Sequence, residues 1–212
     1  IDAVTVCTPD HTHCVATIDA MQRGKHVYVE KPLTHSYLEA DLLMKAEKKY
    51  GVVTQMGNQG HTSGGFAQFQ QMVEKGLLKD IVKMEAWKSP GLWFMSADKR
   101  IGDFPAEEPM PETLDWDLWC GPAEVKPFSK LYHPFNWRGF YLYGNGMLGD
   151  WGCHTFDTPV WALDLDPPTK VECLERKPSL KGVIPAGSRL KYHFPAKGKR
   201  GPVTLYWFDG PQ

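Results

Sequence analysis

The sequence has no apolar run approaching the roughly 18 residues that a membrane-crossing helix needs, and residues 1–25 carry no basic leader followed by an apolar core. Neither a membrane span nor a signal peptide is visible. An excess of charge is missing too: 24 basic residues face 25 acidic ones, a formal charge of -1, which offers no footprint for a phosphate backbone or an anionic membrane. Nucleic acid and membranes are therefore not expected as partners. The five cysteines, Cys7, Cys14, Cys120, Cys153 and Cys173, are odd in number, dispersed and without a C-x-x-C pair. That excludes a zinc knuckle and a disulfide framework and leaves buried free thiols as the expectation. Repeats and low-complexity segments are absent as well. What is present is an ordinary globular composition, 42% apolar and 12% aromatic over 212 residues, enough for one good core or two smaller domains. The opening "IDAVTVC" reads as a fully buried strand with no methionine before it, so the sequence reads as a piece of a longer polypeptide.

Residues 2–7, 26–30 and 52–56 are short β-branched or aromatic runs bounded by Pro, Gly or Asn, and they read as strands. Between them, residues 12–23 and 36–50 repeat apolar side chains at helical spacing and stop at Gly24 and Gly51. Strands alternating with helices imply parallel βαβ units. A third helix is expected over about 64–78, where Phe66, Phe69, Met72 and Val73 share one side. From Ile81 the pattern changes to alternation with one wet face, in "DIVKMEAW", "KVECLERK", "RLKYHF" and "VTLYWF", which read as one mainly antiparallel sheet. The expected domains are thus 1–78 and 79–212. Residues 89–143 are rich in Pro, Trp, Phe and Tyr with little periodicity, too long for a structureless loop and therefore expected to cover something. The apolar stretch from Met147 to Leu165 reads as a helix packed on the sheet, with Pro159 kinking it or marking a restart.

Ligands of open parallel sheets bind beyond the carboxyl ends of the strands, and three polar clusters fall there: "TPDHTH" (8–13), "EKPLTH" (30–35) and "GNQGHTSGG" (57–65). Each also has a plain reading, as a turn, a helix cap or a flexible connection. His11 and His13 form an H-x-H, but with no Cys or carboxylate ligands beside them the spacing does not make a metal site, and none is expected. The Glu30-Lys31 pair can simply end a strand in solvent. Pro32, however, restricts Lys31 to extended backbone and permits a cis bond, so the lysine can be held rigidly. Asp150, His154, Asp157 and Trp161 follow at spacings of 4, 3 and 4, a polar stripe on an apolar helix. They are either a local helix pair or a carboxylate that tunes an imidazole for proton transfer. Together the clusters suggest a lysine and a histidine facing one pocket between two domains. The aromatics around Arg138, namely Trp116, Trp119, Trp137, Phe140 and Tyr141, suit either a core or the apolar faces of a sugar.

These residues resemble the Gfo/Idh/MocA oxidoreductases. "TPDHTH" is similar to that family's T-P-N/D-x-x-H loop, "EKPL" to its E-K-P signature and "GMLGDWGCH" to its G-x-L-x-D-x-G-x-H segment, in the same order and spacing. "LDWDLWCGPA" and "YHPFNWRGF" resemble a bacterial subgroup. The resemblance implies an α/β plus α+β chain: the second half of a Rossmann-type parallel sheet, then a mainly antiparallel sheet domain with packed helices. It implies that Thr8, Pro9, His13, Glu30, Lys31 and Asn58 line an NAD or NADP site. Lys31, Asp150 and His154 would be catalytic, and Trp137, Arg138, Asp150 and His154 would meet a sugar or cyclitol. It also implies a homo-oligomer formed through the antiparallel sheet. The departure is that no G-x-G-x-x-G occurs, and neither does the acidic residue expected about 20 positions later. The sequence by itself is therefore expected to bind NAD(P) poorly. Related readings within the same fold are an NAD-dependent glycosidase or keto-sugar lyase, and a reading of another class is a non-catalytic sugar-binding module. Compartment is not legible from the sequence.

Overall fold

The computed structural model describes residues 1–88 and 104–210. They fall into two compact units, one comprising residues 1–58, 104–150 and 180–184, the other residues 59–88, 151–179 and 185–210.

The first unit opens with β1 (Ala3–Val6), α1 (His13–Gln22), β2 (His26–Glu30), α2 (Tyr37–Tyr50) and β3 (Thr54–Gly57). The three strands form a parallel sheet in the order β1-β2-β3, as the alternation of strands and helices requires. Val27 and Val29 point into the layer made by Met21 and Ala20 of α1 and Leu43 and Ala46 of α2. The valine, methionine and leucine side chains each contribute about 1.5–3 kcal/mol when removed from water. Tyr28 points the other way. In β1, Val6 is buried while Ala3 and Thr5 are exposed in this chain. The start of α2 is fixed by a reciprocal cap, in which Ser36 Oγ accepts from the Glu39 amide and Glu39 Oε2 accepts from the Ser36 amide. Its end is fixed by Gly51 in the left-handed region, φ 61°.

The aromatic stretch enters the described residues at Phe104; its first part, 89–103, lies outside them. There Trp116 and Cys120 of the short helix α4 (Trp116–Cys120) join Phe128, Tyr132, Trp137, Phe140 and Tyr143 in a second core. The rings pack edge-on or stacked, for instance Trp116 on Trp119 with centroids 4.6 Å apart. Periodicity is weak because this core is assembled from turns rather than from regular elements.

The second unit contains α3 (Gly64–Glu74), β4 (Lys83–Lys88), β5 (Lys170–Arg176), β6 (Ser188–Phe194) and β7 (Val203–Asp209). Its sheet order is β4-β7-β6-β5. The β5/β6 and β6/β7 pairings are antiparallel, whereas β4 runs parallel to β7. The last pairing departs from a purely alternating reading: β4 reaches β7 through a long crossover, the connection that parallel strands need. Helix α5 (Gly146–Ala162) is a single element with Pro159 inside it, so of the kink or restart expected there no restart occurs, and the division between the units falls within it, after Asp150. Phe156 of α5 packs edge-on against Tyr192 and Trp207. The cysteines are all free, but only Cys14 and Cys120 are buried; Cys7 and Cys173 are exposed, against the expectation of buried thiols. No helix among the described residues is long and apolar enough to cross a membrane.

Candidate active site

The loops after β1 and β2 are tied together at the carboxyl ends of the strands. His13, the first residue of α1, is 1% exposed, and its two ring nitrogens lie 2.7 Å from the carbonyl oxygens of Thr8 and Pro32. Asp10 is buried as well; its Oδ2 accepts from the amide and the side chain of Asn145, at 3.2 and 3.3 Å. The Asn145 side chain also donates to the Thr34 carbonyl at 3.3 Å. Burial pushes the Asp10 carboxyl up, and the His13 ring and the Asn145 amide oppose that shift. His11 sits between the carbonyls of Tyr143 (3.2 Å) and Trp119 (3.0 Å), and burial lowers its basicity. Both histidines of the H-x-H are thus occupied by backbone carbonyls.

Lys31 follows β2 directly, and its bond to Pro32 is cis. Its Nζ donates to the carboxylate of Asp150 and, at 2.8 Å, to the Asp150 backbone carbonyl. The two side chains are only 15% and 13% exposed. Arg138 approaches the same carboxylate at 3.9 Å while its guanidinium lies over the Trp137 ring, 4.2 Å from the centroid. Asp150 is therefore flanked by two cations. Trp137 is itself buried at 5% exposure, so it acts as the platform beneath Arg138. The Lys31-Asp150 pairing joins residues 119 apart, and no local sequence signal reveals it.

In the second unit, His154 lies one turn beyond Asp150 along α5, and its Nδ1 is 3.1 Å from the Gln59 carbonyl. A carbonyl oxygen only accepts, so Nδ1 carries a proton, and in the neutral ring Nε2 is the nitrogen with the lone pair. Asp157 accepts from His61 Nδ1 at 2.8 Å, and the His61 ring is bracketed by Phe66 and Trp161, with centroids 4.7 and 5.4 Å away. This imidazole-carboxylate pair was not anticipated from the sequence. Asp157 belongs to the polar stripe already noted, but His61 sits in a Gly-rich turn where nothing marks it out. Glu30 and Asn58 close the ends of β2 and β3.

Comparison with known proteins gives the family. A family model described as "Oxidoreductase family, NAD-binding Rossmann fold" matches residues 1–58, and one described as "Oxidoreductase family, C-terminal alpha/beta domain" matches residues 65–194, more than half of the chain. The chain belongs to the Gfo/Idh/MocA oxidoreductase family. Among its relatives, the scyllo-inositol 2-dehydrogenase (NAD(+)) of Bacillus subtilis is 36% identical over 76 residues, which are 36% of this chain and 22% of that protein. An uncharacterised oxidoreductase of Schizosaccharomyces pombe is 23% identical across 97% of this chain and 46% of its own length. Among solved structures, the WlbA dehydrogenase from Bordetella pertussis, in complex with NADH and UDP-GlcNAcA, superposes with a TM-score of 0.67 at 16% identity over 99% of this chain and 52% of that one. The chain thus spans less than half the length of these curated relatives and about half that of the solved structure. The likeness to the solved structure establishes the fold, Rossmann-type parallel sheet included.

Proposed function

We propose that the protein oxidises a hydroxyl-bearing carbon of a sugar or cyclitol with NAD or NADP. The observation that carries this reading is the nearly buried Lys31-Asp150 pair at the carboxyl end of β2. The polar groups after the strands suit a nicotinamide ribose: the Glu30 carboxylate and the Asn58 amide would bond its hydroxyls, and Thr8 and Pro9 would line the same site. When bound, the nicotinamide supplies the hydride acceptor. Lys31 would bond the substrate oxygen and stabilise negative charge developing there, with Asp150 aiming it. His154 would take the hydroxyl proton at Nε2, the nitrogen left free to accept. Arg138 would orient further hydroxyls, held flat by Trp137.

The His61-Asp157 pair favours a second reading, a redox-neutral glycosidase or lyase, because cleavage beside a newly formed carbonyl needs an additional base to remove a carbon-bound proton. A relative at 29% identity over 93 residues, the 2,7-anhydro-N-acetylneuraminate hydratase of Escherichia coli, is named for chemistry other than net oxidation. For assembly, we propose that the face of the second sheet carrying Trp87, Tyr206 and Phe208 joins two copies. Trp87 is 59% exposed, and Lys83 and Arg189 lie over neighbouring rings. Light scattering on the protein and on a Trp87→Glu variant tests this, with a dimer lost in the variant as the expected result.

The main test uses the full-length protein with NAD or NADP and a panel of inositols and aldoses, read at 340 nm. Net reduction that disappears in Lys31→Ala and His154→Ala supports the dehydrogenase. Product formation with no net reduction supports the second reading. Turnover that survives both substitutions would sink the assignment of Lys31 and His154.

A further inference from the structure

We propose that His13 is a positioning residue that donates a hydrogen bond from each ring nitrogen at once, a charged strut holding Lys31's loop against the loop after β1. The argument is one of counting. Both partners of the ring, the Thr8 and Pro32 oxygens, are backbone carbonyls, each 2.7 Å away, and a carbonyl oxygen can only accept. A neutral imidazole has a single N-H. Whichever tautomer it chose, its bare nitrogen would point a lone pair at the lone pairs of a carbonyl oxygen, in a place shut off from water. A ring bearing two protons satisfies both oxygens, and hydrogen bonds from a charged donor are the stronger kind.

The surroundings supply the compensating charge. The carboxylate of Asp10, three residues earlier, interacts attractively with the ring. The other ionisable groups facing this cluster are His11, His35, Asp150 and Arg138, the last two acting through Asp10. His11 also lies between two carbonyls, at the longer distances of 3.2 and 3.0 Å.

The consequence for the site is mechanical. Pro32 immediately follows Lys31, so the His13 bond to the Pro32 carbonyl fixes the backbone from which the lysine side chain departs. The Lys31 amide is fixed on the other side by the Gly57 carbonyl at 3.1 Å. This inference stands apart from the choice of substrate or reaction.

The test is a long-range nitrogen-proton correlation spectrum of the full-length protein labelled with 15N-histidine. The histidine ring with Overhauser contacts to Pro32 is expected to show a proton on both nitrogens at neutral pH. The His13 signals vanish in His13→Gln, in which amide exchange at Lys31 is expected to speed up by about tenfold or more. A His13 ring with one bare nitrogen would overturn the charged strut, whether or not the variant folds. Unchanged exchange at Lys31 in a folded variant would overturn its positioning role.

Discussion

Replacing Asp150 by Asn keeps the shape of the side chain but removes the negative charge that pairs with Lys31 and Arg138. A unit charge pair at about 4 Å interacts by about 4 kcal/mol at an effective dielectric of 20. Breaking a buried pair costs about 3–5 kcal/mol, since the surviving charge stays desolvated. With 15% and 13% of the side chains still in contact with solvent, the expected loss is at the lower end, about 2–4 kcal/mol. That corresponds to a fall of about 5–12 °C in the thermal midpoint for a domain of this size. Lys31→Met should cost less, because Asp150 keeps Arg138 and the methionine removes its own charge. The double variant Lys31→Met/Asp150→Asn should be more stable than the sum of the two losses allows, with a coupling of at least about 1 kcal/mol. Thermal and urea unfolding of the four proteins in parallel measures the cycle. Additive losses, or an Asp150→Asn variant as stable as the parent, would refute the view that this pair is bound together away from water.

Further outcomes are expected elsewhere. A methyl group on Gly144 would lie 2.6 Å from the Arg138 Cα, and backbone cannot swing aside, so Gly144→Ala should destabilise the first unit by about 1–3 kcal/mol in thermal unfolding. Hydrogen bonds from Lys170 and His193 hold the Glu172 carboxyl at about 2, below its ordinary value of 4.5. Its folded form therefore favours the carboxylate, and its contribution is present above the unfolded value and lost as pH falls towards 2. Glu172→Gln should flatten the decline of the thermal midpoint across that acid range. Iodoacetamide followed by mass mapping should label Cys7 and Cys173 and spare Cys14, whose thiol burial pushes up to about 11, and Cys120, raised by the same cause.

The parallel sheet was legible because local patterning and tertiary demand agree: Val27 and Val29 alternate with polar neighbours, Gly24 and Gly51 stop helices, and Ser36 with Glu39 begins one. The polar clusters were legible through topology, since the ends of parallel strands are where loops converge. What sequence could not supply was partnership across the chain. Lys31 with Asp150 and His61 with Asp157 are separated by 119 and 96 positions, and neither pair leaves a local trace. The plain helix-pair reading of Asp150 and His154 missed that each meets a group outside its own helix. The parallel course of β4 beside β7 was hidden because alternation specifies which face is wet and not which way a neighbour runs. Helix α5 runs through Pro159 without a restart, where local propensity expected a kink or a restart, as tertiary context often permits.

Asn145, whose side chain meets both Asp10 and Thr34 while its amide also reaches Asp10, makes these segments a single structural part. A chimera that grafts the loop after β1 or after β2 from a relative would leave a buried carboxylate or carbonyl facing a mismatched neighbour unless position 145 travels with it. Grafts of these loops should therefore keep the fold's stability in blocks of three segments and lose it in blocks of one.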